Sequence, residues 1–218
     1  MSTTRWHRIA LGIVALLAAC SDPPGPARTE TRSVEAFHAI EFRGNGEASI
    51  SVGKPQAVTV NSEESALPDI VTKVEKGVLI VEHVKGAWFR RPALRMQIDV
   101  PAVDSIVLTG AAIVSIVNMA GPRLELVSSG AGNIHASGEV NALNARLDGA
   151  GNLRLADLHA GDASVSVNGA GSIAVHVTGQ LEATVNGVGA ITYAGNPRDV
   201  VRHVNGVGTI SPAGSPVP

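Results

Sequence analysis

A glycine-centred motif recurs along the C-terminal half of this chain at a nearly constant interval, and few folds accommodate such a pattern. Its copies are Ser129-Gly-Ala-Gly-Asn-Ile134, Asp148-Gly-Ala-Gly-Asn-Leu153, Asn168-Gly-Ala-Gly-Ser-Ile173, Asn186-Gly-Val-Gly-Ala-Ile191 and Asn205-Gly-Val-Gly-Thr-Ile210. A degenerate copy, Thr109-Gly-Ala-Ala-Ile-Val114, precedes them and lacks the second glycine. The first glycines stand at 110, 130, 149, 169, 187 and 206, in steps of 18 to 20 residues. A unit this short cannot bury an apolar face alone, so successive units must stack on one another.

Alignment on the first glycine exposes apolar columns. Two residues before it stand Leu108, Ser128, Leu147, Val167, Val185 and Val204. Four residues after it stand Val114, Ile134, Leu153, Ile173, Ile191 and Ile210. Between these positions the residues are mostly Ser, Thr, Asn, Arg or His, which is the period-two alternation of half-buried strands. Each repeat therefore reads as a strand, a Gly-x-Gly corner and a second strand. Glycine suits the corner through positive φ and through close approach of neighbouring backbone. Asn168, Asn186 and Asn205 fall in one column and are expected to form a side-chain ladder. A glycine-cornered hairpin repeat, as in a propeller or barrel, is the competing architecture, but propeller blades are commonly about twice this length. The expected fold is all-β, a solenoid with coils of about 19 residues stacked at the spacing of roughly 4.8 Å between strands.

The rest of the domain is strand-like but less regular. Phe42-Arg-Gly-Asn-Gly-Glu-Ala-Ser-Ile50 reads as a divergent corner, and strands are expected at residues 58–60, 77–81 and 94–100. A short helix is expected within 65–76, weakened by Pro68. No linker divides residues 34–212, and residues 213–218 read as a C-terminal tail.

The N-terminus reads as an address rather than as part of the fold. Arg5, His7 and Arg8 precede an apolar run over residues 9–18, and Leu17-Ala18-Ala19-Cys20 closes it. This resembles the lipobox of bacterial lipoproteins. The resemblance implies a signal peptide over residues 1–19, cleavage before Cys20, and acyl chains on that residue. Several chains are needed, since one gives only marginal membrane binding. Ser21 after the cysteine resembles the pattern that directs lipoproteins to an outer membrane. Residues 20–33, with three prolines after Cys20 and no apolar periodicity, read as the lipidated cysteine and a flexible tether. An ordinary secretory signal ending at Ala19 is the other reading.

The corner repeats, together with Tyr193-x-Gly195-x-Pro197 before the last copy, resemble the GIN-domain family, also called the "putative auto-transporter adhesin head". The resemblance covers roughly residues 37–212. It implies a right-handed β-helix-like fold in a secreted or lipid-anchored protein of the bacterial envelope, without an established biochemical activity.

Candidate chemistry is sparse. Without Arg5 and Arg8 the chain holds 15 basic and 19 acidic residues, a balance that does not suit general nucleic-acid binding. Cys20 is the single cysteine, so intramolecular disulfides and multi-cysteine zinc sites are ruled out. No Gly-x-Gly opens a dinucleotide fingerprint, and no cofactor is expected. His135, His159, His176 and His203 occupy different positions relative to the corner, at +5, +10, +7 and −3, so they are not expected to stack or to hold a metal. Glu125 and Glu182 share an outward column with two coils between them.

The remaining candidate is Lys85-Gly-Ala-Trp-Phe-Arg-Arg-Pro-Ala-Leu-Arg95. Trp88 and Phe89 beside Arg90, Arg91 and Arg95 suit an acidic polysaccharide, a lipid headgroup region or a protein partner. They also suit a cap over an open solenoid end, which is the expected role. The functional expectation is a membrane-anchored envelope protein, joined to an outer membrane through Cys20 and meeting envelope polysaccharide or protein through its solenoid, without catalytic residues. A polysaccharide-processing enzyme and a ligand-sensing accessory lipoprotein are the rival readings of the same scaffold.

Overall fold

A computed structural model describes residues 25–84 and 94–214. Sixteen strands and one 3-10 turn make up the ordered elements among them. The repeats form five turns of a β-solenoid, from the corner at Gly110 to the corner at Gly206. Strands β9 (Ala111–Ser128), β10 (Ala131–Leu147) and β11 (Ala150–Val167) each run nearly a whole coil from one corner to the next. Beyond them the coil divides into β12 (Ala170–Val177), β13 (Gln180–Val185), β14 (Val188–Ala194), β15 (Asp199–Val204) and β16 (Val207–Pro212). All pairings between successive coils are parallel.

The corner glycines stack in a continuous file. A β-carbon at Gly130, Gly149, Gly169, Gly187 or Gly206 would overlap the carbonyl oxygen of the corner glycine one coil earlier. The demand is therefore backbone contact between coils, and none of these five residues has positive φ. Gly110 meets the Gly44 carbonyl in the same way, so the divergent copy is indeed a corner. Strand β3 (Asn45–Val52) leaves that corner and pairs in parallel with β9.

Between the first corner and the regular coils the chain makes an excursion. Strands β2 (Ala39–Phe42) and β8 (Ser105–Leu108) pair in parallel and lead into the Gly44 and Gly110 corners. The excursion comprises β4 (Ala57–Glu63), a 3-10 turn at Leu67–Asp69, β5 (Ile70–Glu75), β6 (Val78–His83) and β7 (Arg95–Val100). The helix expected within 65–76 is thus one 3-10 turn and a strand. Pro68 sits in the first turn, where its missing N–H costs nothing, and β-branched Val71, Thr72 and Val74 favour β5. Lys76 and Gly77 join β5 to β6 with φ of 53° and 77°, the two-residue turn that matches strand twist.

The tether also ends earlier than expected. Ala27–Arg32 forms β1, antiparallel to β4 over six residue pairs. Its Thr29 and Thr31 suit an extended backbone, and its charged residues suit an edge. Arg28 meets Glu64 at 2.6 Å, and Arg32 donates to the Leu67 carbonyl at 2.9 Å. A short, charged outer strand discourages pairing with other chains.

One continuous core runs through the coils, built from the inward columns. Leu108, Leu147, Val167 and Val185 are fully buried in the column two residues before the corner. Ser128 occupies the same column, equally buried, and its hydroxyl has no hydrogen-bond partner. An orphaned buried hydroxyl costs desolvation without return. Ser128→Ala should therefore raise stability by about 1 kcal/mol. Urea unfolding at unchanged m-value would show this as a higher midpoint.

Candidate functional site

The outward columns hold the chemistry, and the stacking of coils sets it in rows. At the corner, Asn168 Nδ2 donates to Asp148 Oδ1 at 2.7 Å, Asn186 Nδ2 to Asn168 Oδ1 at 2.8 Å, and Asn205 Nδ2 to Asn186 Oδ1 at 2.9 Å. The expected asparagine ladder exists and is longer by one member. Asp148 ends it as a pure acceptor, and its other oxygen takes Arg146 Nε at 2.9 Å. Every amide dipole points the same way, so the bonds polarise one another towards the carboxylate. A second, shorter row links Ser172 to Asn152 and Asn152 to Asn133. Beside the first row, Val188 and Val207 are 59% and 71% exposed.

Histidines depart from expectation. His159 and His176 lie opposite one another on neighbouring strands, with rings stacked at 4.3 Å between centroids and 17° between planes. Counting from the corner failed because β12 lacks the three residues 156–158 of the preceding bend, so register passes from Leu155–Val175 directly to His159–His176. Glu139 occupies the same row on the other side of His159. His135 lies apart, with Nε2 at 3.7 Å from Asp157. Among the described residues, no three His, Cys, Asp or Glu side chains converge as a metal site.

The carboxylates separate as the columns foretold. Glu125, Asn144, Ser164 and Glu182 stand opposite one another on successive strands. Three strand steps place the two acids about 14 Å apart, beyond the roughly 5–10 Å of a glycosidase pair.

Near the first corner, Arg43 binds both oxygens of Glu41 and reaches Glu82 at 3.2 Å, while Lys73 joins Glu75 and Glu82. Hydrogen bonding to Glu41 raises the Arg43 pKa further, and the Glu75 bond raises that of Lys73. His83 is half-buried against Gly44, and its desolvation lowers its pKa. This network joins β2, β5 and β6 and was not legible as a cluster, because its members are up to 41 positions apart in the chain.

Cys20, Trp88, Phe89, Arg90 and Arg91 lie outside the described residues. Arg95 stands on β7, exposed, with Nε at 3.2 Å from Glu47 of β3. On the next strand Ile113 faces Glu47 and is 55% exposed.

Comparison with known proteins agrees with this architecture. Residues 36–197 match the family described as "Putative auto-transporter adhesin, head GIN domain". The chain belongs to that family. As a GIN domain it is similar in fold to a crystal structure of "a putative adhesin" from Bacteroides fragilis, with TM-score 0.71 and 22% identity over 87% of this chain and 98% of that one. A "putative lipid binding protein" from Parabacteroides distasonis gives TM-score 0.49 and 23% identity over 87% and 97%. A putative adhesin from Parabacteroides merdae gives TM-score 0.48 and 17% identity over the same shares. No functionally curated protein matches this GIN domain.

Proposed function

We propose that acyl chains on Cys20 hold this GIN domain at a bacterial cell envelope, at an outer membrane, where its solenoid serves as a structural or adhesive contact surface. The adhesin label of the family supports a surface or envelope role. The observation that carries the contact reading is the corner row of Asp148, Asn168, Asn186 and Asn205 with exposed Val188 and Val207 beside it. Side-chain amides repeated at the strand spacing offer evenly placed donors and acceptors to an extended polymer, either polysaccharide or peptide. The neighbouring valines add apolar area. Trp88, Phe89, Arg90 and Arg91, with Arg95, are proposed as a further contact or as a cap.

The lipobox supports the anchor, and the early start of β1 sharpens its consequence. Six residues separate Cys20 from Ala27, a reach of about 20 Å when extended. The domain would sit close to the bilayer. Intact-mass analysis and membrane fractionation of the mature protein test the anchor. The expected species lacks residues 1–19, carries acyl mass on Cys20 and sediments with membranes, whereas a soluble chain with unmodified Cys20 would overturn it. For the surface, a Val188→Asp, Val207→Asp double variant should lose binding to cells or envelope polysaccharide while its melting temperature stays put. Retained binding would remove the corner from the proposal.

A further inference from the structure

We propose that Asn205 is a site of spontaneous covalent modification, its carboxamide converting to a carboxylate, and that the solenoid singles it out. Asn-Gly pairs stand at Asn45-Gly46, Asn168-Gly169, Asn186-Gly187 and Asn205-Gly206. In such a pair the glycine nitrogen gives its proton to hydroxide and attacks the asparagine Cγ. An N–C bond forms, the Cγ–Nδ2 bond breaks, and the side-chain nitrogen leaves as ammonia with a proton from water. The chain then holds a cyclic imide, and water adds to either imide carbonyl to give aspartate or isoaspartate. Glycine favours the attack because no β-carbon hinders the approach of its nitrogen.

The fold sets how freely each pair reaches that geometry. Asn45 Oδ1 accepts from the Ala111 N–H at 3.2 Å, and its strand β3 is flanked by β7 and β9. Asn168 and Asn186 are inner rungs of the corner row. Each donates through Nδ2 and accepts through Oδ1, so its carboxamide turns towards its own glycine only by breaking two bonds. Their glycines are also covered, since Gly187 rests on the Gly169 carbonyl and Gly206 on that of Gly187. Asn205 is the last rung. Its Nδ2 donates to Asn186, and among the described residues nothing donates to its Oδ1. The Gly206 N–H is held by the Val185 carbonyl at 3.0 Å. On either side of it, however, β15 and β16 each have one strand partner among the described residues, β13 and β14. A terminal coil rests on one neighbour instead of two, so it opens locally more often and frees that nitrogen. The direction of the row gives the product a consequence. A carboxylate cannot donate, so it suits the acceptor end, where Asp148 stands. At position 205 it faces Asn186 Oδ1 and the rung is lost. This inference is independent of the adhesive reading.

Incubation of the full chain at mildly alkaline pH, native and in urea, tests it. Digestion at acid pH and mass-spectrometric mapping locate each exchange of NH2 for OH, and enzymatic methylation measures isoaspartate. In the native protein Asn205 should convert at least roughly tenfold faster than Asn45, Asn168 or Asn186. In urea the four sites should react at similar rates, which assigns the difference to the fold. Asn205→Gln keeps an amide but disfavours the ring, and it should melt with wild type and lose the fast modification. Native Asn168 or Asn186 reacting as fast as Asn205 would overturn the proposal. So would the same preference for Asn205 in urea, or four intact native sites in a chain that reacts when unfolded.

Discussion

Gly169→Val should abolish the cooperative fold or lower its stability by more than about 4 kcal/mol, while Ser172→Ala, three residues on, costs about 1 kcal/mol. The cause is the distance between coils. A β-carbon at Gly169 would overlap the Gly149 carbonyl oxygen and lie 2.6 Å from that of Asp148. The backbone cannot withdraw, because Gly169 N–H donates to the Leu147 carbonyl at 3.1 Å and Ala170 N–H to that of Gly149 at 2.9 Å. Gly187 rests on the Gly169 carbonyl in turn, so one side chain displaces coils on both sides. Ser172 loses only its bond to Asn152, at 2.7 Å on the outer surface. Circular dichroism and urea unfolding of both variants provide the measurement. Gly169→Ala is the sharper probe: φ there is ordinary, so a conformational preference alone would make alanine mild, whereas backbone overlap makes it severe. A Gly169→Ala protein that melts with wild type would sink the close-contact account.

The same geometry explains what the sequence makes legible. Where each coil is a near copy of the last, column position equals spatial position, and Asn168, Asn186 and Asn205 could be placed in one row by counting. Counting fails wherever coil length changes. His159 and His176 have different offsets yet meet, because three residues bulge from one coil and are absent from the next. The Glu41–Arg43–Glu82–Lys73 network escaped for a related reason. Lys73 and Glu82 belong to the excursion, where β5 and β6 form a hairpin, and they meet Glu41 and Arg43 only because β6 joins β2 out of chain order. No period links such residues. Strand β1 was hidden by composition: its Arg, Thr and Glu residues look like tether because an outer edge strand has little to bury. A buried column, by contrast, advertises itself through its apolar residues.

Arg202→Val should convert the last coil into a self-associating end while changing stability by less than about 1 kcal/mol. Four residues before the corner the column reads Ile106, Leu126, Ala145, Val165 and Ala183, all buried, and then Arg202. In a sixth position of the same kind valine would extend the core outwards. Arginine instead turns across the open end, its guanidinium 5.2 Å from the centre of the Tyr193 ring and hydrogen-bonded to the Tyr193 hydroxyl. It places a charge where another coil would have to stack. Pro212 on β16 adds a residue without an N–H to the outer edge. An inward charge and an edge proline are both means of blocking strand addition. They matter here because Val204 is 46% exposed at an inward position of β15. Replacing Arg202 with valine joins Val200, Val204 and Tyr193 into one apolar surface beside β15, whose one strand partner among the described residues is β13. The lost cation–π contact, worth about 0.5–1 kcal/mol at an exposed site, is offset within the monomer by the apolar side chain. Sedimentation velocity should show association growing with concentration in Arg202→Val and less in Arg202→Lys, which keeps the charge. Identical sedimentation of wild type and Arg202→Val would mean that the end is blocked without Arg202.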